Sequence, residues 1–166
     1  FLLLYPLGVL WESLKRTLMV SLGVTPQKGI SSHRFKVLGQ VLWLMSIQPR
    51  YKEWPLRRLH PSIKHSIIAG NYSLELNRKG DPTSCILWGF VSKKELAAYK
   101  TTKWVDYQTA EIGRELIITH CISDNLIPFF RKTMKHIAKQ NPDIKIGWGI
   151  RGFKNNKICK IILPRG

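Results

Sequence analysis

Apolar and polar positions alternate along the chain with two different periods, which predict helices and strands. Apolar residues recur at helical spacing from about Phe35 to Ile47, and the pattern stops before Pro49. A helix is predicted there, because proline lacks a backbone N–H and disfavours a helical residue before it. A second helix is predicted from Pro61 to about Ala69, with proline at its first position and Gly70 at its end. Two further helices are predicted over residues 93–100 and 126–140.

Strand patterns fill the intervals between these helices. Residues 71–77 and 83–92 flank the turn "RKGDP" and predict a hairpin. Residues 115–122 are rich in β-branched side chains and predict a strand buried on both faces. Residues 144–152 and 157–163 flank "KNN" and predict a closing hairpin. This order predicts an α+β domain with a mostly antiparallel central sheet flanked by helices, and we expect Trp43 of the first helix to pack against that sheet.

The first 32 residues have a different character. The stretch "FLLLYPLGVLW" is shorter than the roughly 20 apolar residues of a membrane span. Residues 11–20 predict an amphipathic helix that packs on protein, with peripheral membrane contact as the alternative. Residues 25–32 have the composition of a linker. We therefore expect an N-terminal extension over residues 1–32 and the main domain over residues 33–166.

The charge balance points to an acidic partner. The chain has 27 Lys and Arg against 10 Asp and Glu, a formal net charge of +17. Such a field attracts polyanions, so nucleic acid, an acidic protein and an anionic membrane are all candidates. Zinc-finger spacing and RNP-type aromatic motifs do not occur in the sequence, which makes nucleic acid the weaker candidate.

The cysteines indicate neither a disulfide framework nor a metal site. Cys85, Cys121 and Cys159 are three isolated residues without CxxC spacing. We interpret them as core thiols in a reducing compartment, which predicts a cytoplasmic protein.

Four segments together carry a resemblance to a known family. They are "LGQVLWLMSIQPRYKEW", "PSIKHSIIAGNYSLEL", "DPTSCILWGFVS" and "LIITHCISDN", in this order. They resemble the motifs of the RTX-toxin-activating lysine acyltransferases, and the likeness extends over about residues 35–163. The resemblance implies a fold similar to GNAT acetyltransferases and transfer of a fatty acyl group from acyl carrier protein to a lysine of a protein substrate. It implies no bound cofactor, and it makes a homodimer possible.

The residues to which the resemblance assigns catalysis differ in this chain. The family's histidine and aspartate fall, by position, on Tyr51 and His120. Lysine acylation needs a neutral amine and stabilisation of the charge on the thioester oxygen. His120 is therefore the candidate base, and Tyr51 is the candidate hydrogen-bond donor to the oxyanion or acid for the leaving thiol. The alternative is that both are ordinary packed residues. The resemblance also implies that Trp43, Trp54 and Trp88 line the acyl cleft.

Other residues are weaker candidates for the missing base. His60 and His65 could replace it, or could be solvated surface histidines. Asp124 could supply a carboxylate, although the run "SDN" before residue 126 more readily supplies helix N-caps. Cys121 and His120 are strand neighbours that point to opposite faces, which argues against a Cys–His pair.

Three functions therefore stay open. The first is an acyltransferase with an altered active site. The second is a catalytically silent relative that acts as a basic binding module or as part of a larger assembly, and the third is a nucleic-acid-binding protein. A deep apolar cleft between the Trp43 helix and the sheet favours the enzyme, whereas a cleft filled by large side chains favours the silent relative. Basic residues on one continuous face favour nucleic acid.

Overall fold

The computed structural model describes residues 31–51, 56–107, 109–151 and 157–164. Residues 33–166 belong to one compact unit. The predictions for the N-terminal extension, for Trp54 and for the turn "KNN" lie outside the described residues. Within the described ranges, no helix is long and apolar enough to cross a membrane.

Four helices form where the sequence predicts them. Their bounds are α1 Ser32–Ser46, α2 Leu56–Ala69, α3 Lys93–Thr102 and α4 Leu126–Gln140. The prediction that Pro61 is the first residue of its helix is wrong, because α2 begins five residues earlier. Proline costs this helix the backbone hydrogen bond to residue 57. The full burial of Ile63 and the near-full burial of Ile67 outweigh that local loss.

Five strands form one mixed sheet in the order β1-β2-β3-β4-β5. The pairs β1–β2, β2–β3 and β4–β5 are antiparallel, and β3–β4 is parallel. The predicted α+β class with a mostly antiparallel sheet flanked by helices is confirmed. The strand bounds are β1 Tyr72–Leu76, β2 Pro82–Val91, β3 Glu115–Ser123, β4 Ile146–Arg151 and β5 Lys157–Ile162.

One face of the sheet carries α1 and α2. Residues Cys85 and Leu87 of β2 and Ile122 of β3 share a buried cluster with these helices. The side of α1 that enters the cluster is an apolar stripe at helical spacing. Trp43 lies about 200° around the helix from Val41, at 100° per residue, and 48% of its surface is exposed. The expectation that Trp43 packs against the sheet is therefore wrong. The buried residues of the α1 stripe are Val37, Leu38, Val41, Leu44 and Met45.

The opposite face of the sheet carries α4. Trp88 of β2 and Ile118 of β3 share a second buried cluster with Phe129 and Ile137 of α4. Trp88 is 2% exposed and is among the largest fully buried side chains. Helix α3 packs on a third cluster through Leu96 and Tyr99. The helices therefore cover both faces of the sheet.

An irregularity in β3 interrupts its pairing with β2. Leu87 pairs with His120 and Trp88 pairs with Ile118, so Thr119 is an extra residue, which is the pattern of a β-bulge. The parallel pairing of β3 with β4 covers residues 116–118 on one strand and 147–149 on the other. The bulge thus lies where the two parallel strands part.

Candidate functional site

The two residues that the sequence analysis singles out for catalysis are adjacent in the structure. Tyr51 follows the end of α1 in a 3₁₀ turn, Pro49–Tyr51, and is 5% exposed. Its hydroxyl lies 3.3 Å from Nδ1 of His120 on β3. The other ring nitrogen of His120, Nε2, lies 2.9 Å from the hydroxyl of Ser62 on α2. A histidine thus joins two hydroxyl groups that come from different elements.

The bulge explains why His120 faces these hydroxyls. In regular alternation from Ile117, which faces α3, residue 120 would point to the opposite face and towards α4. The extra residue, Thr119, resets the alternation, so His120 faces α1 and α2 while Cys121 packs in the α4 cluster. The prediction that His120 and Cys121 point to opposite faces is confirmed. The Thr119 hydroxyl donates to the Leu87 carbonyl at 3.2 Å and helps to hold the bulge.

The imidazole of His120 can exchange protons with either hydroxyl. In its neutral form one ring nitrogen donates and the other accepts, and each hydroxyl can do both. His120 is 6% exposed, so the three groups interact in an environment of low polarity, where hydrogen bonds are stronger than in water. The arrangement can therefore pass a proton from one hydroxyl to the other through the ring.

A cavity of about 420 Å³ opens beside His120, within the size range of small-molecule sites. It lies between the N-terminal end of α4 and strands β3, β4 and β5, where β3 and β4 part. Its lining is mostly apolar, with two arginines, Arg131 and Arg151, among the lining residues. The other lining residues are Ile118, Thr119, His120, Cys121, Leu126, Ile127, Phe130, Gly149, Ile150, Cys159 and Ile161.

A second, smaller cavity of about 50 Å³ reaches the same histidine. It is lined by Ser62 and by residues of α3 and the segment after it, including Tyr99, Lys103 and Trp104. Thr119, His120 and Ile150 line both cavities. The gap between β3 and β4 thus has an apolar cavity and a more polar one, with His120 at their junction.

Two of the three tryptophans proposed for the acyl cleft, Trp43 and Trp88, belong to the described residues. Trp43 and Trp88 are absent from the described residues that line the two cavities, because Trp43 faces outward and Trp88 is core. The expected cleft between α1 and the sheet is filled by the buried cluster. The apolar cavity lies on the other face instead. Trp104, which the sequence analysis did not select, lines the small cavity.

His60 and His65 lie on α2, and neither forms a hydrogen bond with His120 in the part of the chain that the structure describes. Nε2 of His60 is buried without a hydrogen-bond partner among the described residues. Burial, together with the nearby Lys64, lowers the pKa of His60. Burial also lowers the pKa of His65, whose ring stacks on Tyr107 with 4.5 Å between centroids. Both histidines therefore favour the neutral form in the folded protein.

We expect the lowered pKa values of His60 and His65 to make folding weaker in acid. The unfolded chain binds these protons below about pH 6.5, whereas the folded chain resists them, so the free energy of unfolding falls as the pH decreases through about 6.5. Urea unfolding at about pH 7 and about pH 5.5 measures this fall. His65→Phe keeps a ring on Tyr107 without a titrating group and should flatten the dependence. An equal pH dependence in the wild-type protein and in His65→Phe would contradict the assignment.

The predicted capping at α4 is only partly observed. Asn125 is the N-cap residue but makes no side-chain capping hydrogen bond. The Ser123 hydroxyl accepts from the Asn125 N–H at 3.0 Å, and the Asp124 side chain is exposed. Among the described residues no cluster of His, Cys, Asp and Glu could hold a metal ion.

The profile of the RTX toxin acyltransferase family matches residues 30–141. The match covers more than half of the chain and includes Tyr51, Ser62 and His120. The chain belongs to the RTX toxin acyltransferase family. No curated protein matches the chain. The family assignment made from the four sequence motifs is confirmed. Acyl transfer is therefore the chemistry to consider for His120, the hydroxyls of Tyr51 and Ser62, and the two cavities.

Proposed function

We propose that the chain is a protein-lysine acyltransferase that takes a fatty acyl group from acyl carrier protein, with an active site altered at Tyr51 and His120. The observation that carries the proposal is the position of His120, which lines both cavities and contacts two hydroxyls. An acyltransferase must bring an apolar acyl chain and a polar acceptor to one proton-transfer group. The proposal is tested by transfer of a labelled acyl group from the carrier to a lysine side chain.

The chemistry assigns different tasks to the two family positions. A lysine ammonium has no lone pair, so the acceptor must lose a proton before or during attack on the thioester. An imidazole has an ordinary pKa near neutrality and can take that proton, whereas a tyrosine with an ordinary pKa near 10 is a poor base. In this proposal His120 is the base and passes the proton on to the leaving thiol, and Tyr51 holds the imidazole ring in place.

The large cavity is the proposed site for the acyl chain. Strands β3, β4 and β5 line this cavity, together with the exposed Leu126 and Ile127 of α4. Exposed aliphatic side chains at the rim of an apolar cavity favour an apolar ligand. Cys121 and Cys159 line this cavity, while Cys85 is 1% exposed. The sequence predicts three core thiols, and of these only Cys85 is fully buried.

The cysteines provide a direct test of acyl binding. Burial, with a contribution from Cys121, raises the pKa of the Cys85 thiol, so this residue should resist alkylation in the folded protein. Iodoacetamide should modify Cys121 and Cys159 instead. A saturated fatty acid such as myristate should slow that reaction by the factor 1 + [L]/Kd, measured by peptide mass spectrometry. Equal alkylation with and without myristate would show that the cavity does not hold the chain.

The partner proposal is an acidic carrier protein that docks on α4. Arg131 lines the large cavity and begins a row of exposed basic residues that continues with Lys135 and Lys139, spaced four residues apart on one helix face. Lys132 beside this row is paired with Glu75 at 3.2 Å. A basic row that ends at the mouth of an apolar cavity suits an acidic protein that delivers an acyl chain, since complementary charge steers association.

Reversal of the α4 charges should weaken the use of the carrier. We expect Lys135→Glu with Lys139→Glu to raise KM for acyl carrier protein roughly tenfold at low salt, with little change in kcat. The effect should shrink as salt reduces the Debye length below about 10 Å. Lys93→Glu with Lys94→Glu, at exposed positions on α3, makes the same change in net charge and is the control. An equal effect of both pairs would attribute the result to net charge alone.

The silent-relative alternative is favoured by the burial of Tyr51 and His120 and by the buried side chains that fill the space between α1 and the sheet. In that case the hydroxyls of Tyr51 and Ser62 satisfy a core histidine, and the basic surface binds a partner without chemistry. Binding of acyl carrier protein without any transfer from it is the result that this alternative predicts.

A further inference from the structure

Ser62 has the surroundings of an activated nucleophile. Its hydroxyl lies 2.9 Å from Nε2 of His120, within the 2.6–3.2 Å expected between a nucleophile and its base. The other nitrogen of the base is held by a third group, the Tyr51 hydroxyl, at 3.3 Å. Nucleophile, base and orienting group are therefore all present, with a phenol in the place where a carboxylate is common.

A neighbouring serine shows what an ordinary buried serine does on the same helix. Ser66 lies one turn further along α2 and is fully buried, and its hydroxyl donates to the Trp88 carbonyl at 2.8 Å. Ser66 satisfies a backbone carbonyl and lines neither cavity among the described residues. Ser62 instead contacts a titratable ring and lines the small cavity. The difference between the two serines points to a chemical role for Ser62.

The two cavities provide access to the Ser62 hydroxyl for the acyl donor and for the acceptor amine. Ser62 lies in the small cavity, whose lining includes the exposed Lys103. His120 separates Ser62 from the apolar cavity and lines both. An acyl chain in the large cavity thus places its thioester next to the histidine, and the small cavity leads an acceptor to the same point. The small cavity is large enough for a few water molecules or a slender amine.

We propose that Ser62 accepts the acyl group in a covalent intermediate before the acceptor lysine receives it. This inference rests on the proposed function. The Ser62 oxygen attacks the thioester carbon, and its proton passes to Nε2 of His120. The carbon–sulfur bond then breaks, and the leaving thiolate takes that proton and departs as a thiol. A neutral lysine amine then attacks the carbonyl carbon of the resulting ester, and the bond between that carbon and the Ser62 oxygen breaks. The proton of the amine passes by way of His120 to the Ser62 oxygen, which leaves an amide on the lysine and the free serine hydroxyl.

The half-reaction can be tested without an acceptor protein. The full chain is incubated with octanoyl-N-acetylcysteamine, a soluble thioester, and quenched rapidly for intact-mass measurement and peptide mapping. We expect one octanoyl group on Ser62, with release of one equivalent of thiol. Ser62→Ala should abolish this adduct and lower acyl transfer to lysine roughly 10²-fold or more. Ser66→Ala removes a buried hydroxyl from the same helix and should keep both.

The outcomes separate this inference from the proposed function. If Ser62→Ala transfers the acyl group to lysine at the wild-type rate, Ser62 is not the nucleophile although the chain is an acyltransferase. Sequential rather than ping-pong initial-rate kinetics in the wild-type protein, with no adduct on Ser62, would assign the residue to positioning His120 and overturn the inference. Absence of both adduct and transfer in the wild-type protein would remove the inference and the proposed function together.

Discussion

His120→Ala should reduce acyl transfer roughly 10²-fold or more, which is typical of the loss of a general base. His120 is the one titratable residue that lines both cavities, and each of its ring nitrogens lies beside a hydroxyl. Tyr51→Phe should cost less, because the ring of His120 keeps its bond to Ser62. The measurement is the initial rate of transfer from acyl carrier protein, together with the urea midpoint of each variant.

Two controls distinguish loss of the base from loss of the fold. His120→Gln keeps hydrogen-bonding groups in the same place but cannot take a proton at neutral pH. It should fold with near-native stability and still show the large loss of rate. The urea midpoint is the second control, since a variant that keeps the wild-type midpoint has kept its fold. A transfer rate that His120→Ala leaves unchanged would refute the role assigned to this residue.

Trp88→Ala should lower the free energy of unfolding by about 3–5 kcal/mol, as large core truncations do. Trp88 is 2% exposed and belongs to the cluster that joins the sheet to α4. Such a loss is a large part of the 5–15 kcal/mol that stabilises a typical domain. Urea unfolding followed by circular dichroism measures it.

The matched variant is Trp43→Ala, which removes the same side chain from a site that is 48% exposed. Its cost should stay below about 1 kcal/mol, as for most surface substitutions. If the Trp88 variant does not fold, Trp88→Phe provides a smaller truncation of the same ring. A Trp88→Ala protein of native stability that has lost transfer would instead support the acyl-binding role expected from the sequence.

The helices and strands of the domain could be predicted from the sequence because their periods are regular. The hairpin of β1 and β2 and the two-sided burial of β3 follow from residue patterns over five to ten positions. Trp43 shows the limit of this reasoning. Its helix has apolar residues on more than one side, so periodicity alone did not tell which of them enters the core.

The site was only half predictable. The family motifs point to Tyr51 and His120, but the surroundings of these residues depend on a bulge at Thr119. The residue types around Thr119 do not predict a bulge. Ser62 was missed, although a signal existed. Ser62 and Ser66 accompany Ile63 and Ile67 on the buried side of α2, and a buried hydroxyl needs a partner. The cavity beside α4 was unpredictable because it depends on where β3 and β4 part.

The most direct test of the account is transfer of a radiolabelled fatty acyl group from acyl carrier protein in the presence of the purified chain. A bacterial extract that contains RTX protoxin serves as the source of acceptors, and the label is located by gel and by mass spectrometry of lysine-containing peptides. The account predicts amide-linked label on a lysine side chain with the wild-type chain and a loss of that label with His120→Ala. Label that remains entirely on the carrier, while the chain binds the carrier, would contradict the account and support a silent relative.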